Sequence, residues 1–196
     1  YREMETDLLW HAAAATPEVI RRLRNDCGGL LFLAIGDEIG EMFGLPWLQD
    51  IHSHESLVEE NPVLGHLVTN DLQYDSRSAF TLSLNHRETY TGITDRDRSL
   101  TTRRFGELSG ELLEKGENGA GAKERLGKEF RTPGHIPVCR ESPGGLKTRQ
   151  GHTELAVSIA RLAGLTACTI GAEMLEPEGD GALSLEGARA YADTHG

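Results

Sequence analysis

Cysteine is scarce in this chain. Cys27, Cys139 and Cys168 stand apart, with no C-x-x-C pair among them, which argues against a disulfide framework or a zinc knuckle and fits a reducing, cytoplasmic setting. Long apolar runs are missing as well. No stretch reaches the ~18 residues of a membrane span, and no basic segment leads an apolar one as in a signal peptide. Positive charge is short: 20 Lys and Arg against 31 Asp and Glu leave a net charge of −11. A basic face for nucleic acid or an anionic membrane is therefore not expected, although local arginines can still hold a small anion. Only four of those 20 cations are Lys, so 16 are Arg. The sequence has no G-x-G-x-x-G, no G-x-x-x-x-G-K-[ST] and no G-x-S-x-G, so the common nucleotide loops and the nucleophile elbow are unsupported.

What remains is an ordinary globular composition. The 196 residues are 38% hydrophobic and 26% charged, enough for one domain with an adequate core. The first residue is Tyr1 rather than Met, inside a charged motif, which suggests trimming or an unusual start.

Residues Arg2 to Trp10 alternate as a strand or an extended lead into one, placing Glu3, Glu5 and Asp7 on one side. Three carboxylates so placed suit a divalent metal or substrate hydroxyls, or else decorate a solvated edge strand. Thr16-Pro17 opens a helix that Gly28-Gly29 stops. Leu30 to Ile35 reads as a central strand covered on both faces, and Asp37 as the cap of a short helix ended by Gly44. From Trp47 to Gln73 the pattern is irregular, and His52 and His54 read as solvated loop residues. Ser78 to Leu84 alternates, with Phe80, Leu82 and Leu84 predicted on the buried face. A polar stretch, Asn85 to Arg98, then leads to a helix capped by Thr94 or Asp95 and running to about Lys115.

Gly116 to Gly121 reads as a surface loop, and Phe130 to His135 as a turn, because Pro133-Gly134 disfavours helix. That turn presents His135 before a strand from Ile136 to Cys139, as an acid or base or as a local structural contact. In Arg149-Gln150-Gly151-His152-Thr153-Glu154 a loop becomes a helix with Thr153 as cap, Leu155, Ala156, Ile159, Ala160 and Ala163 inward, and Gly164 at its end. Such a helix start, with an arginine and a hydroxyl beside it, seats a phosphate; His152 adds a metal ligand or proton carrier. The plainer alternative is a surface charge and a cap. Thr166 to Leu175 reads as a buried strand whose Glu173 must be paired or functional, and a last helix starts at Ser184. Strands alternating with helices point to an α+β domain, a three-layer α/β/α arrangement around a mixed sheet.

Four segments in order carry a resemblance: REMETD at Arg2 to Asp7, NHRETYTGITDRDR at Asn85 to Arg98, RTPGH at Arg131 to His135 and RQGHTE at Arg149 to Glu154. Together they resemble 3,4-dihydroxy-2-butanone 4-phosphate synthase of riboflavin biosynthesis, in its archaeal single-domain form. The likeness spans nearly all of residues 1–196, without the helix and strand that precede the first motif in the family. It implies a carbon-carbon lyase that converts ribulose 5-phosphate to 3,4-dihydroxy-2-butanone 4-phosphate and formate. It also implies a required magnesium ion, with manganese as a substitute, stabilising an enediolate before a skeletal rearrangement. By this resemblance Glu3 and His152 match metal ligands, and His135, Glu173 and Asp7 match catalytic residues. Arg2, Glu3, Asp7, Thr91, Arg149, Gln150, Gly151, His152, Thr153 and Glu173 match substrate contacts. It further implies a homodimer with shared active sites, in which His135 acts on the neighbour's substrate. Where the family carries an acidic residue, a small or polar residue and a cysteine, this chain has Tyr1, Met4 and Phe32. The alternatives are another magnesium-dependent sugar-phosphate isomerase or aldolase, and a phosphometabolite-binding protein without turnover.

Overall fold

The computed structural model describes residues 4–69, 71–73 and 75–195. Among these, five strands form one mixed sheet: β1 (Asp7–His11), β2 (Phe32–Ile35), β3 (Phe80–His86), β4 (Phe130–Arg140) and β5 (Cys168–Glu173). The spatial order is β1-β5-β2-β4-β3, with β2 parallel to β4 and the other pairs antiparallel. Helices α1 (Pro17–Asp26), α2 (Asp37–Phe43) and α6 (Asp95–Glu114) pack on one face, and α8 (His152–Leu162) on the other. Between α2 and β3 lie three short helices, α3 (Leu48–His52), α4 (Glu55–Glu60) and α5 (Val63–His66). After α6 comes α7 (Gly119–Glu129), and the last helix is α9 (Leu185–His195).

The apolar run of β2 is continuous because it is covered on both sides. Leu33 and Ile35 join the larger core with Ile20, Leu23, Phe105, Leu108 and Ile170, while Phe32 and Ala34 meet Ala156 and Val157 of α8. Each large side chain so buried contributes about 1.5–3 kcal/mol. On the α8 face the contact residues are small, Ala156 and Ala160 among them, so the helix lies close to the sheet and its first turn reaches the strands.

Thr16 caps α1 by accepting the Val19 N–H at 3.3 Å, and Thr94 caps α6 by accepting the Asp97 N–H at 3.1 Å. Other boundaries differ from expectation. Gly36, not Asp37, is the N-cap of α2, because the Asp37 carboxylate is taken by the buried Arg140 guanidinium at 2.9 Å. Gly151, not Thr153, is the N-cap of α8, so His152 begins the helix. Leu155 and Ile159 are exposed; the inward stripe is Ala156, Val157 and Ala160, one step round the helix. Gly164 does end it with φ +71°, and the Leu165 N–H reaches back to Ala160 O at 2.9 Å.

The first strand begins only at Asp7. In β3 the simple alternation fails: Phe80 is exposed and Thr81 is buried, its hydroxyl donating to Val138 O at 2.9 Å, because the register with β4 shifts twice. The predicted turn at 130–135 is instead part of β4. Asn85 faces Arg131 while Leu84 faces Ile136, so residues 132–135 form a wide bulge inside one strand. Gly119 starts a helix where a loop was read, and the irregular 47–73 segment contains α3, α4 and α5.

Candidate functional site

The first turn of α8 sets one wall of a cleft of about 290 Å³. The Arg149 guanidinium lies directly over Gly151, where any Cβ would run into its nitrogens. Glycine at the helix start therefore lets a cation sit beside the terminal N–H groups. That placement puts positive charge against the positive end of the helix, and two carboxylates offset it. Arg149 Nη1 donates to Glu154 Oε2 at 2.6 Å and its Nε to Asp75 Oδ2 at 2.8 Å. Burial alone would lower the Arg149 pKa, but these acids raise it, so the guanidinium stays charged. Thr153 is buried and lines the same cleft.

Carboxylates converge from the other side. Asp7 in β1 is the cross-strand partner of Glu173 in β5, which brings acids from the two ends of the chain to about 5 Å between Cβ atoms. Asp7 Oδ1 accepts a hydrogen bond from His152 Nδ1 at 2.6 Å. A carboxylate only accepts, so Nδ1 carries the proton and the lone pair of a neutral ring lies on Nε2. Glu173 Oε2 accepts the Leu30 N–H at 2.8 Å. Its pKa is raised, first by burial and then by the negative charges of Asp7 and Glu5. Glu5, Glu173 and His152 line the cleft with Arg149 and Thr153.

The raised Glu173 pKa has a measurable cost. Above the ordinary value of 4.5 the unfolded chain gives up this proton while the folded chain retains it. Stability therefore falls as pH climbs from 4.5 through the raised value. Glu173→Gln in EDTA is expected to melt higher than the wild type at pH 7, at about 2–4 °C per kcal/mol gained. The difference should vanish on acidification below pH 4.5 in thermal melts; a gain that persisted there would contradict the assigned cause.

A second polar cluster sits at the bulge of β4. The His135 N–H donates to Asn85 Oδ1 at 2.8 Å, which fixes the amide orientation and leaves Asn85 Nδ2 to donate to His135 Nδ1 at 3.0 Å. The neutral ring then holds its proton on Nε2. Gly134 passes so close to the Leu84 backbone that no side chain would fit, and Gly92, with φ +91°, likewise makes room for Asn85. Asp97 accepts the Thr91 and Gly92 N–H groups at 3.2 and 2.8 Å. Burial works to raise the Asp97 pKa, but these N–H bonds outweigh it and lower it.

Of the sequence-predicted site residues, Asp7, Glu173, His152, Arg149, Gly151 and Thr153 come together. His135 and Thr91 do not join them: both are exposed, and Cys139 in the cleft wall lies four steps along the strand from His135, on the order of 13 Å. Gln150 is exposed and outside the cleft. Arg2 and Glu3 lie outside the described residues, and among the described residues no three His, Cys, Asp or Glu form a ready metal cage. Sequence reasoning missed Asp75 and Arg77, which line the cleft from a segment without periodicity. Asn85 opens the NHRETYTGITDRDR segment, but sequence reasoning gives it no role of its own. Position 32, a phenylalanine, forms the cleft wall beside Cys139, whose thiol is pushed up to about 12 by burial.

The sequence profile of 3,4-dihydroxy-2-butanone 4-phosphate synthase matches residues 1–196. The chain belongs to this family. It is 40% identical to the 3,4-dihydroxy-2-butanone 4-phosphate synthase of Methanothermobacter thermautotrophicus over 99% of this chain and 80% of that protein. With the synthase of Methanosarcina acetivorans it shares 42% identity over 100% of this chain and 76% of the relative. The Candida albicans synthase structure superposes with a TM-score of 0.69 at 27% identity, covering 100% of this chain and 79% of that one. A synthase crystal structure in complex with two magnesium ions has the same fold, with a TM-score of 0.68 at 24% identity over 98% of this chain and 79% of the other. The donor set in this synthase-family chain suits such an ion: an imidazole oriented by Asp7, with Glu5 and Glu173 lining the same cleft as hard oxygen donors. Asp7→Asn is expected to weaken magnesium or manganese binding by about 10–100-fold. Calorimetry checks this; unchanged affinity would show that the Asp7–His152 bond does not orient a ligand.

Proposed function

We propose that this protein converts ribulose 5-phosphate to 3,4-dihydroxy-2-butanone 4-phosphate and formate. The observation that carries this reading is one cleft in which a cationic helix start, Arg149 with Thr153, faces the Asp7–His152 pair and Glu173, whose pKa burial raises. The phosphate would sit on Arg149, the hydroxyl of Thr153 and the first N–H groups of α8. Glu3 and His152 Nε2 would hold a divalent ion, magnesium or in its place manganese. When bound, that ion acts as a Lewis acid on the sugar's carbonyl and acidifies the adjacent carbon.

Glu173 is the better proton carrier of the two catalytic carboxylates. Its raised pKa lies nearer neutrality, where a base both takes and returns protons, and it would remove the C3 proton. Asp7 keeps the imidazole turned toward the cleft. His135 Nε2, pointed outward by Asn85, would carry protons as C1 loses water and becomes a methyl group. The skeletal shift and re-addition of one water then release C4 as formate, and the four remaining carbons keep the phosphate.

His135 lies apart from its own cleft, and its exposure suits action on a second copy. The functional unit is read as a homodimer with sites shared between subunits. Among the described residues no helix is long and apolar enough to cross a membrane; a cytoplasmic location and a single synthase domain over 1–196 complete the reading. Incubation with ribulose 5-phosphate, with and without EDTA, tests it: formate is expected only with the metal. Conversion to another sugar phosphate without formate would overturn it.

A further inference from the structure

The two carboxylates on Arg149 differ in kind. Glu154 is fully buried and also accepts the Ser142 N–H at 2.9 Å, so it belongs to the fixed frame of the cleft. Withdrawing it would leave a guanidinium without its interior counter-charge. Asp75 sits outside any helix or strand, its side chain 15% exposed, and it lines the cleft beside Arg77 and Thr153. Glu154 thus already supplies one counter-charge to the guanidinium, and Asp75 lays a second carboxylate against it where a phosphate would bind. Two anions about 4 Å apart repel one another, and more strongly at a protein surface than in water. A phosphate and Asp75 cannot both lie against Arg149 without that penalty.

We propose that Asp75 is a stand-in anion that occupies the phosphate subsite and is displaced from Arg149 by the incoming phosphate. Asp75 thereby sets both affinity and selectivity. A phosphate dianion brings more charge to the guanidinium than the carboxylate it replaces, whereas a sugar acid with one carboxylate only exchanges like for like. The inference rests on Arg149 being the phosphate seat, and the test separates the two.

Binding of inorganic phosphate and of a five-carbon sugar acid is measured calorimetrically on the full chain and on Asp75→Asn, Asp50→Asn and Arg149→Gln. Asp75→Asn is expected to bind phosphate about tenfold tighter and to discriminate less against the sugar acid. Asp50→Asn removes the same charge from the neighbouring Arg77, whose Nη1 lies 3.1 Å from Asp50, and is expected to stay within about twofold of wild type. Equal or weaker phosphate binding by Asp75→Asn, or an equal gain from Asp50→Asn, overturns the placeholder role while Arg149→Gln still weakens binding. Unchanged phosphate binding by Arg149→Gln overturns the phosphate seat itself, and the placeholder with it.

Discussion

His152→Ala is expected to lower the rate of formate release from ribulose 5-phosphate by about a thousandfold or more and to flatten its dependence on magnesium. A Lewis acid at a carbonyl supplies several kcal/mol of transition-state stabilisation, and each 1.4 kcal/mol is about a factor of ten in rate. His152 is the described residue proposed to hold that ion. Its Nδ1 is engaged by Asp7 at 2.6 Å, its backbone is fixed as the first residue of α8, and its ring borders the cleft. Alanine is a good helix former, so the fold should survive, and circular dichroism with thermal melts would verify it. A folded His152→Ala protein that still needs magnesium at the wild-type concentration would remove His152 from the metal site.

The second large effect concerns His135. His135→Ala alone is expected to lose about a hundredfold or more in activity, the usual worth of a proton carrier. Arg149→Gln alone should lose comparably by failing to hold the phosphate. Mixed and reassociated at equal amounts, the two inactive proteins should recover about a quarter of the wild-type sites, because half of the random dimers pair one intact cleft with one intact histidine. No recovery from variants that each remain dimeric would mean that a subunit's histidine serves its own cleft. The geometry favours recovery: Asn85 holds His135 on an exposed bulge, and the strand between that bulge and Cys139 is long enough to keep them apart.

The elements legible in the sequence were those whose cause is local. Thr16-Pro17 and Thr94 mark helix starts through their own hydroxyl bonds, and the β2 run is apolar because both its faces are covered. What stayed illegible depends on distant partners. Asp37 has the chemistry of a cap, yet Arg140, about a hundred residues away, takes its carboxylate. Pro133-Gly134 reads as a turn, and only the pairing of its flanks with Asn85 and Leu84 makes it a bulge. Within the cleft, the RQGHTE segment announced Arg149, His152 and Thr153, since residue type and helix position suffice for them. Asp75 and Arg77 gave no signal, because their role comes from where an aperiodic segment lies against α8.

The pairing of β1 with β5 joins Asp7 to Glu173, and it bears on the order of events while the chain is being made. The first strand has its neighbour in the sheet far along the chain, so it must wait, unpaired, until that distant segment has been made. Closing so long a loop is slow and entropically costly. Until it closes, Asp7 cannot reach His152 and the acids cannot gather. A nascent chain from which β5 has not yet emerged lacks Glu173 and the strand that holds Asp7 beside His152, so ion binding is expected to appear only after β1 and β5 have paired.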